Sequence, residues 1–173
     1  MTERVYVEPI KAIRDIIQHE MILDDTQIVV VNQKYNIPKF EGIFIALGVV
    51  EEKFAIVKTW FDHTTTTEWF EGQVITSIQI DIMSRNEEAR LRRFETLVCL
   101  HGIYGQNMVE ANALKIARMP TTFVSLEDTE DVARMNRYSF TISVNSLYSQ
   151  SKTGIYYDKF EDPPLLADRS PVR

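Results

Sequence analysis

The sequence predicts an α+β fold, a mostly antiparallel sheet with two main helices packed on one face, a protruding β-hairpin arm and an extended C-terminal tail. Residues 74–82 and 137–149 alternate apolar and polar side chains, which is typical of half-buried antiparallel strands. Residues 10–21 and 87–98 repeat apolar residues at helical spacing, whereas residues 150–173 keep no period. We therefore expect one domain over residues 1–149 and a tail over residues 150–173.

The composition limits the classes of function. The 173 residues are 45% hydrophobic, which is enough for a sizeable core, and the formal net charge of -6 disfavours a broad DNA-binding or lipid-binding face. Cys99 is the single cysteine, so no internal disulfide can form and a reducing compartment is expected. Neither a signal peptide nor an apolar run of about 18 residues is found. These features predict a soluble product of the cytosol with no membrane partner.

The first half of the chain is expected to contain one helix and several strands. Pro9 begins a segment with apolar residues at helical spacing up to Met21, and residues 27–33 are rich in β-branched side chains. Two apolar stretches, 42–50 and 53–61, flank Glu51 and Glu52, which predicts two buried strands in a tight hairpin or side by side. The threonine run that follows predicts an exposed hairpin arm or tip at residues 62–72.

The second half is expected to contain the main helix and the best-defined strand. Asn86 is positioned to cap a helix whose apolar stripe comprises Leu91, Phe94, Leu97 and Val98. A short second helix is predicted at residues 108–117, a strand near 121–125, and an acidic connector at 126–136. The connector leads to the alternating strand 137–149.

No catalytic or metal-binding pattern is convincing. Cys99 and His101 are two residues apart, so on one helix they point in different directions and cannot act as nucleophile and base. His63 has carboxylates nearby, but a third ligand at a defined spacing is missing. The glycines match no phosphate-binding or dinucleotide-binding motif. The expectation is a protein that is not an enzyme and carries no cofactor or metal.

Three segments are candidate interfaces. Aromatic and aliphatic residues lie on the arm and on the tail, where a single domain has little core to offer them, and such residues are enriched at protein interfaces. The arginines after residue 84 alternate with glutamates, which favours a subunit contact or a solvated face over DNA binding. The tail can equally dock on its own domain. The candidate residues are His63, Thr64, Thr65, Thr66, Thr67, Trp69, Arg85, Arg90, Arg93, Tyr156, Tyr157, Phe160, Leu165 and Leu166.

The order of these parts resembles the tail terminator proteins of tailed bacteriophages, also called tail completion or neck terminator proteins. The likeness covers roughly residues 10–150 and depends on the unit "IQIDIMSRNEEARLRRFETL", a short second helix and the strand "RYSFTISVNSLYS". It is closest at the strand that carries Asp81, at Ala89 and Arg90 on the helix, and between Tyr138 and Tyr148. The tail after Gln150 departs from the shared pattern, so its partner stays open.

The resemblance implies a structural virion protein without enzymatic activity. Such a protein forms a ring, usually a hexamer, at the top of the tail tube, ends tube polymerisation and joins the tail to the head-side connector. Its expected partners are copies of itself, the tail tube protein, the connector or stopper protein, and the sheath protein if the tail is contractile. DNA would pass through the lumen without specific binding. The alternatives are another head-tail connector component, or a small cytosolic enzyme or ligand-binding domain.

Overall fold

Seven strands and three helices occur in residues 2–31, 42–130 and 133–153, the parts of the chain that the computed structural model describes. In chain order they are β1 Thr2–Tyr6, α1 Pro9–Met21, β2 Ile28–Val31, β3 Phe44–Asp62, β4 Thr67–Ser84, α2 Glu88–His101, α3 Ile103–Ala111, β5 Leu114–Arg118, β6 Val124–Glu130 and β7 Ala133–Thr153. The α+β fold class predicted from the sequence is confirmed.

One sheet contains all seven strands, and its framework is three long antiparallel strands. The order β1-β7-β4-β3-β2 runs across the sheet, and β5 and β6 pair with the same edge of β7 as β1 does. Only the β2–β3 pair is parallel in the described sheet. The mostly antiparallel arrangement that the alternating segments predict is therefore correct.

The core lies between the helices and one face of this sheet. Ile78, Ile80 and Ile82 of β4 are fully buried, as are Ile13 and Ile17 of α1. On the other face Gln79 donates to the Asp81 carboxylate, which also forms a 3.0 Å ion pair with Arg137. The one-residue alternation therefore separates an apolar face from a mostly polar face, as expected. One end of the polar face holds a second buried cluster, formed by Phe44, Ala46, Met83 and Met135.

The helices cover only part of the sheet. Strands of 18 to 21 residues extend about 60 Å, whereas α1 and α2, with 13 and 14 residues, are each about 20 Å long. The sheet beyond the helices comprises residues 54–62 of β3, 67–73 of β4, 147–153 of β7, and β1, and we call it the arm. The predicted hairpin arm is thus one part of a broader, multistranded extension.

The tight turn expected at Glu51 and Glu52 is wrong. Residues 44–62 form one strand that pairs with β4 throughout, and the register shifts between Val49 and Glu51 where the turn was expected. A β-bulge accommodates the extra residue without reversing the chain. The expected burial is correct for residues 43–47 of the first stretch, which are buried. It is wrong for the end of that stretch and for the second stretch, where Val50 and Phe54 are 60% and 56% exposed.

Other expected boundaries change because strand pairing overrides local sequence preference. Residues 114–118, expected in part to be helical, pair with β7 as β5. Most of the acidic connector is strand, with residues 124–130 in β6 and 133–136 in β7. Residues 150–153, assigned to the tail, continue β7 and pair with β4 and β1. β1 was not predicted from the sequence; antiparallel pairing with β7 holds it in the sheet.

The start of α2 follows the predicted local chemistry. The Glu88 backbone N–H donates to Asn86 Oδ1 at 2.9 Å, and the Ala89 N–H donates to Ser84 Oγ at 2.9 Å. These acceptors satisfy two of the N–H groups that the first helical turn leaves without intrahelical partners. Asn86 therefore fixes the point at which the chain leaves β4 and turns into the helix.

Ile22 ends α1 in a backbone conformation that is unfavourable for any residue with a Cβ. It lies in the left-handed region at φ 54° and is 90% exposed. A left-handed conformation costs a residue with a Cβ roughly 1–2 kcal/mol, and glycine avoids this cost. We expect Ile22→Gly to raise the free energy of unfolding by about 1 kcal/mol, after allowance for the greater freedom of glycine in the unfolded chain. Urea denaturation measures this change.

Val5→Gly is the matched control, because Val5 is an exposed β-branched residue with an ordinary φ at a position of β1 that is paired with Ser149. It is expected to lower the free energy of unfolding. Equal losses in both variants would contradict the assignment of strain to Ile22.

Candidate protein interface

The tip of the arm is a turn ordered by Asp62. Its carboxylate accepts hydrogen bonds from the Thr64 N–H and the Thr65 hydroxyl, both at 2.8 Å, and the Thr65 hydroxyl is the main cause of the lowered pKa of Asp62. Thr66 has a positive φ of 49°, and residues 63–66 are exposed. The predicted site residues His63–Thr67 therefore form a local turn that presents hydroxyl groups to solvent.

One face of the arm carries a tryptophan pair. Trp60 and Trp69 occupy directly paired positions in β3 and β4, with ring centroids 5.9 Å apart and planes inclined by only 6°. The Lys58 ammonium lies 4.6 Å from the Trp60 ring centroid, in a cation–π contact. The candidate residue Trp69 thus belongs to a flat aromatic surface, and its stacking partner Trp60 was not among the predicted site residues.

The helix-side face of the arm carries an aromatic groove of about 410 Å³. We call it the arm groove; it is lined by Phe54, Phe70, Glu71, Tyr148 and Gln150. The Phe54 and Tyr148 rings meet edge to face with centroids 5.7 Å apart. Gly72 allows this arrangement, because a Cβ there would come within 2.4 Å of the Phe54 ring.

Three of the four residues in the predicted apolar stripe of α2 face away from the core, contrary to the ordinary expectation for an amphipathic helix, whereas Leu97 packs against the core. Leu91, Phe94 and Val98 are 70%, 54% and 67% exposed. The residues that α2 buries are instead Ala89, Thr96, Cys99 and Leu100. We call Leu91, Phe94 and Val98 the α2 stripe. Contiguous exposed apolar surface of this kind usually marks an interaction site.

The predicted basic cluster surrounds this stripe but does not act as one unit. Arg90 forms a 3.2 Å ion pair with Glu87, and Arg85 is exposed. The Arg93 guanidinium lies 4.5 Å from the Phe94 ring centroid and 5.0 Å from that of Tyr138. Arg93 thus binds to aromatic faces and forms no ion pair within the described residues.

The remaining candidate residues fall into two groups. Cys99 is buried, and desolvation, assisted by Glu20 and Glu95, raises the pKa of its thiol to about 11. The thiol is therefore protonated at neutral pH and a poor nucleophile. The tail candidates Tyr156, Tyr157, Phe160, Leu165 and Leu166 lie outside the described residues.

A second pocket is the feature most compatible with a small ligand. It has a volume of about 450 Å³ and lies between α2, α3 and β5. Its lining is mainly apolar, with His101, Glu110 and Lys115 among the polar residues. No group of three or more possible metal ligands occurs in the described ranges. The pocket therefore offers an apolar space without an evident catalytic constellation.

Comparisons with known proteins add no family to this description. The sequence matches no protein-family model, and no curated protein is significantly similar to it. Of the helices in the described ranges, none combines the length and apolarity needed to cross a membrane.

The arm tip and the arginines were among the residues predicted from the sequence, but the exposed face of α2 and the arm groove were not. The α2 stripe was recognised as apolar, but periodicity does not reveal which surface a helix faces. The arm groove brings together Phe54, Phe70 and Tyr148 from three strands, so its assembly depends on register. One usable signal was present, because Phe54 and Tyr148 are aromatic residues in strands with few helices left to cover them.

The tryptophan pair gives a direct test of the arm geometry. The chain has only Trp60 and Trp69, and their close stacking is expected to produce an exciton couplet in the far-ultraviolet circular dichroism spectrum. Trp60→Phe and Trp69→Phe should each abolish the couplet, because a single indole has no partner. Phe70→Leu, next to Trp69 but on the opposite face, should preserve it. A wild-type spectrum without the couplet would contradict the stacked arrangement.

Proposed function

We propose that this protein is a structural component of a bacteriophage virion that forms a ring at the top of the tail tube. In this role it ends tube polymerisation and joins the tail to the head-side connector, as tail terminator proteins do. The observation that carries the assembly part of the proposal is the α2 stripe. A helix that exposes Leu91, Phe94 and Val98 has an apolar face without a cover in the described residues.

A second surface on the same chain supports a ring over a simple dimer. The arm groove and the tryptophan pair lie on the arm, whereas the α2 stripe lies on the helix layer. A ring closes when two different patches on each copy meet in the same way around a rotation axis. Two separate apolar patches per chain are what such a contact requires.

The polar face of the sheet is compatible with DNA passing through the ring. It carries Gln79, Thr141, Ser143 and Asn145, and the charge of Asp81 is balanced by Arg137 at 3.0 Å. The same face also carries Lys53, Lys58 and Lys115, and Lys53 is paired with Glu51 at 3.2 Å. Cations that alternate with carboxylates form no continuous basic patch for phosphates, which supply most of the affinity for DNA. Such a surface in the lumen would let DNA slide without being retained.

The proposal predicts an assembly with a discrete number of copies. Mass photometry or sedimentation of the wild-type protein, alone and with polymerised tail tubes, should show a single multiple of the chain mass. Electron microscopy of the same sample should show rings. Protein that stays monomeric in both conditions would contradict the proposal.

The double variant Leu91→Asp/Val98→Asp tests the part played by the α2 stripe. Both positions are exposed, so folding should be retained, whereas assembly would have to bury two unpaired carboxylates. We expect the concentration for half-maximal assembly to rise at least tenfold, which corresponds to about 1.4 kcal/mol.

Val50→Asp is the control for this variant. It makes the same kind of change at a position that is 60% exposed and lies in neither apolar patch. It should assemble like the wild type. Equal weakening by the control and the stripe variant would remove the evidence for a specific role of the stripe.

A further inference from the structure

The α2 stripe and the arm groove of one chain cannot pack against each other. The α2 stripe is tied to the middle of β7, because Phe94 contacts Phe123 and Phe123 contacts Phe140, with ring centroids 5.4 and 5.1 Å apart. The arm groove includes Tyr148, eight residues farther along the same strand, which is about 26 Å away. Both patches lie on regular secondary structure, so neither can move to the other. An occupant for either patch must come from elsewhere.

The shapes of the patches are complementary. Leu91, Phe94 and Val98 follow the spacing i, i+3, i+7 and form one ridge about 10 Å long. The arm groove is a concave surface formed by aromatic rings on neighbouring strands, and the Phe54 ring lies at its base over Gly72, where a Cβ would come within 2.4 Å of the ring. A protruding apolar ridge with a central phenylalanine fits an aromatic groove, since aromatic anchors in such grooves dominate interface energetics.

The charges beside the patches are complementary as well. Arg93 lies beside Phe94, with its guanidinium 4.5 Å from the ring centroid, and it has no carboxylate partner in the part of the chain that the structure describes. Glu68 lies two residues from Phe70 on β4, on the same face as the arm groove, and it forms no ion pair with any described residue. Opposite charges at the rims of two patches fix their orientation when they meet.

We propose that the α2 stripe of one copy packs into the arm groove of the next copy, so that each chain gives one ridge and accepts another. The inference rests on the proposed ring and names the two surfaces that close it. Residues on the ridge are Leu91, Phe94 and Val98, and the groove that receives them contains Phe54, Phe70 and Tyr148.

The size of the stripe explains why this contact is suited to a closed ring. Three side chains that are 54 to 70% exposed present roughly 300 Å² of apolar area. A standard stable interface buries about 800 Å² per partner. One such contact therefore holds two chains weakly, whereas in a ring every chain is held at both of its patches.

Mixing two complementary variants tests the proposal. The stripe variant Leu91→Asp/Val98→Asp keeps an intact groove, and the groove variant Phe54→Asp keeps an intact stripe. Each alone should fail to assemble under conditions in which the wild type forms rings. When mixed at concentrations well above those at which the wild type forms rings, they should form one-to-one dimers that grow no further, because each pair has a single stripe–groove contact and that contact alone is weak. A tag on one variant and native mass spectrometry identify the composition.

A second groove variant keeps the test valid if Phe54→Asp does not fold. Gly72→Ala adds only a methyl group, which displaces the Phe54 ring from the base of the groove without adding charge. The far-ultraviolet couplet of the tryptophan pair shows whether the arm is folded in either variant. A folded Gly72→Ala protein should assemble at least tenfold more weakly than the wild type, and it should be rescued by the stripe variant in the same way.

The possible outcomes distinguish a wrong stripe–groove contact from a wrong proposal of a ring. Wild-type rings together with folded variants that do not pair when mixed would overturn the stripe–groove contact and leave the ring intact. Wild-type dimers that never grow, and that either variant abolishes without rescue, would indicate a symmetric contact and also overturn it. A wild-type protein that stays monomeric alone and with tubes would overturn the proposed function and this contact with it.

Discussion

The organising constraint of this molecule is the difference in length between its sheet and its helices. The three long strands extend about 60 Å, but helices of 13 and 14 residues extend only about 20 Å, so one apolar layer cannot cover the other. The helices bury Ile78, Ile80 and Ile82 of β4 completely. Past Val74 the same strands continue as the arm, where aromatic side chains remain accessible. The proposed assembly follows from this surplus of uncovered surface.

The sequence predicts those features that depend on one segment alone. Alternation located the central strands, Asn86 located the start of α2, and the threonine run located the tip of the arm. Prediction from the sequence failed where contacts between segments determine the local structure. Glu51 and Glu52 resembled a turn, but the β4 partner keeps β3 extended through a bulge. The α2 stripe was recognised by its period, yet only the packing of Thr96 and Cys99 inward reveals that the stripe faces out.

Stability and assembly draw on different residues of the same helix. Ala89, Thr96, Cys99 and Leu100 hold α2 on the domain, and the high pKa of the Cys99 thiol reflects that burial. Leu91 and Val98 lie on the opposite side and contribute little to the single chain, whereas Phe94, also on that side, packs edge to face against Phe123. This division lets a ring subunit fold before it assembles, since changes on the outer side are expected to alter association without unfolding the protein.

The central claim is that these outward-facing apolar groups are buried between chains, and hydroxyl-radical footprinting tests it at single residues. Labelling of Phe94 and Phe54 is compared between assembled wild-type protein and the monomeric stripe variant, with Ile22, 90% exposed, as an internal reference. For Phe94, Gly72→Ala at a concentration below that at which it assembles supplies a monomer with an unaltered stripe. Assembly is expected to lower the labelling of Phe94 and Phe54 several-fold and to leave the labelling of Ile22 unchanged. Equal labelling of both phenylalanines in assembled and monomeric protein would contradict it.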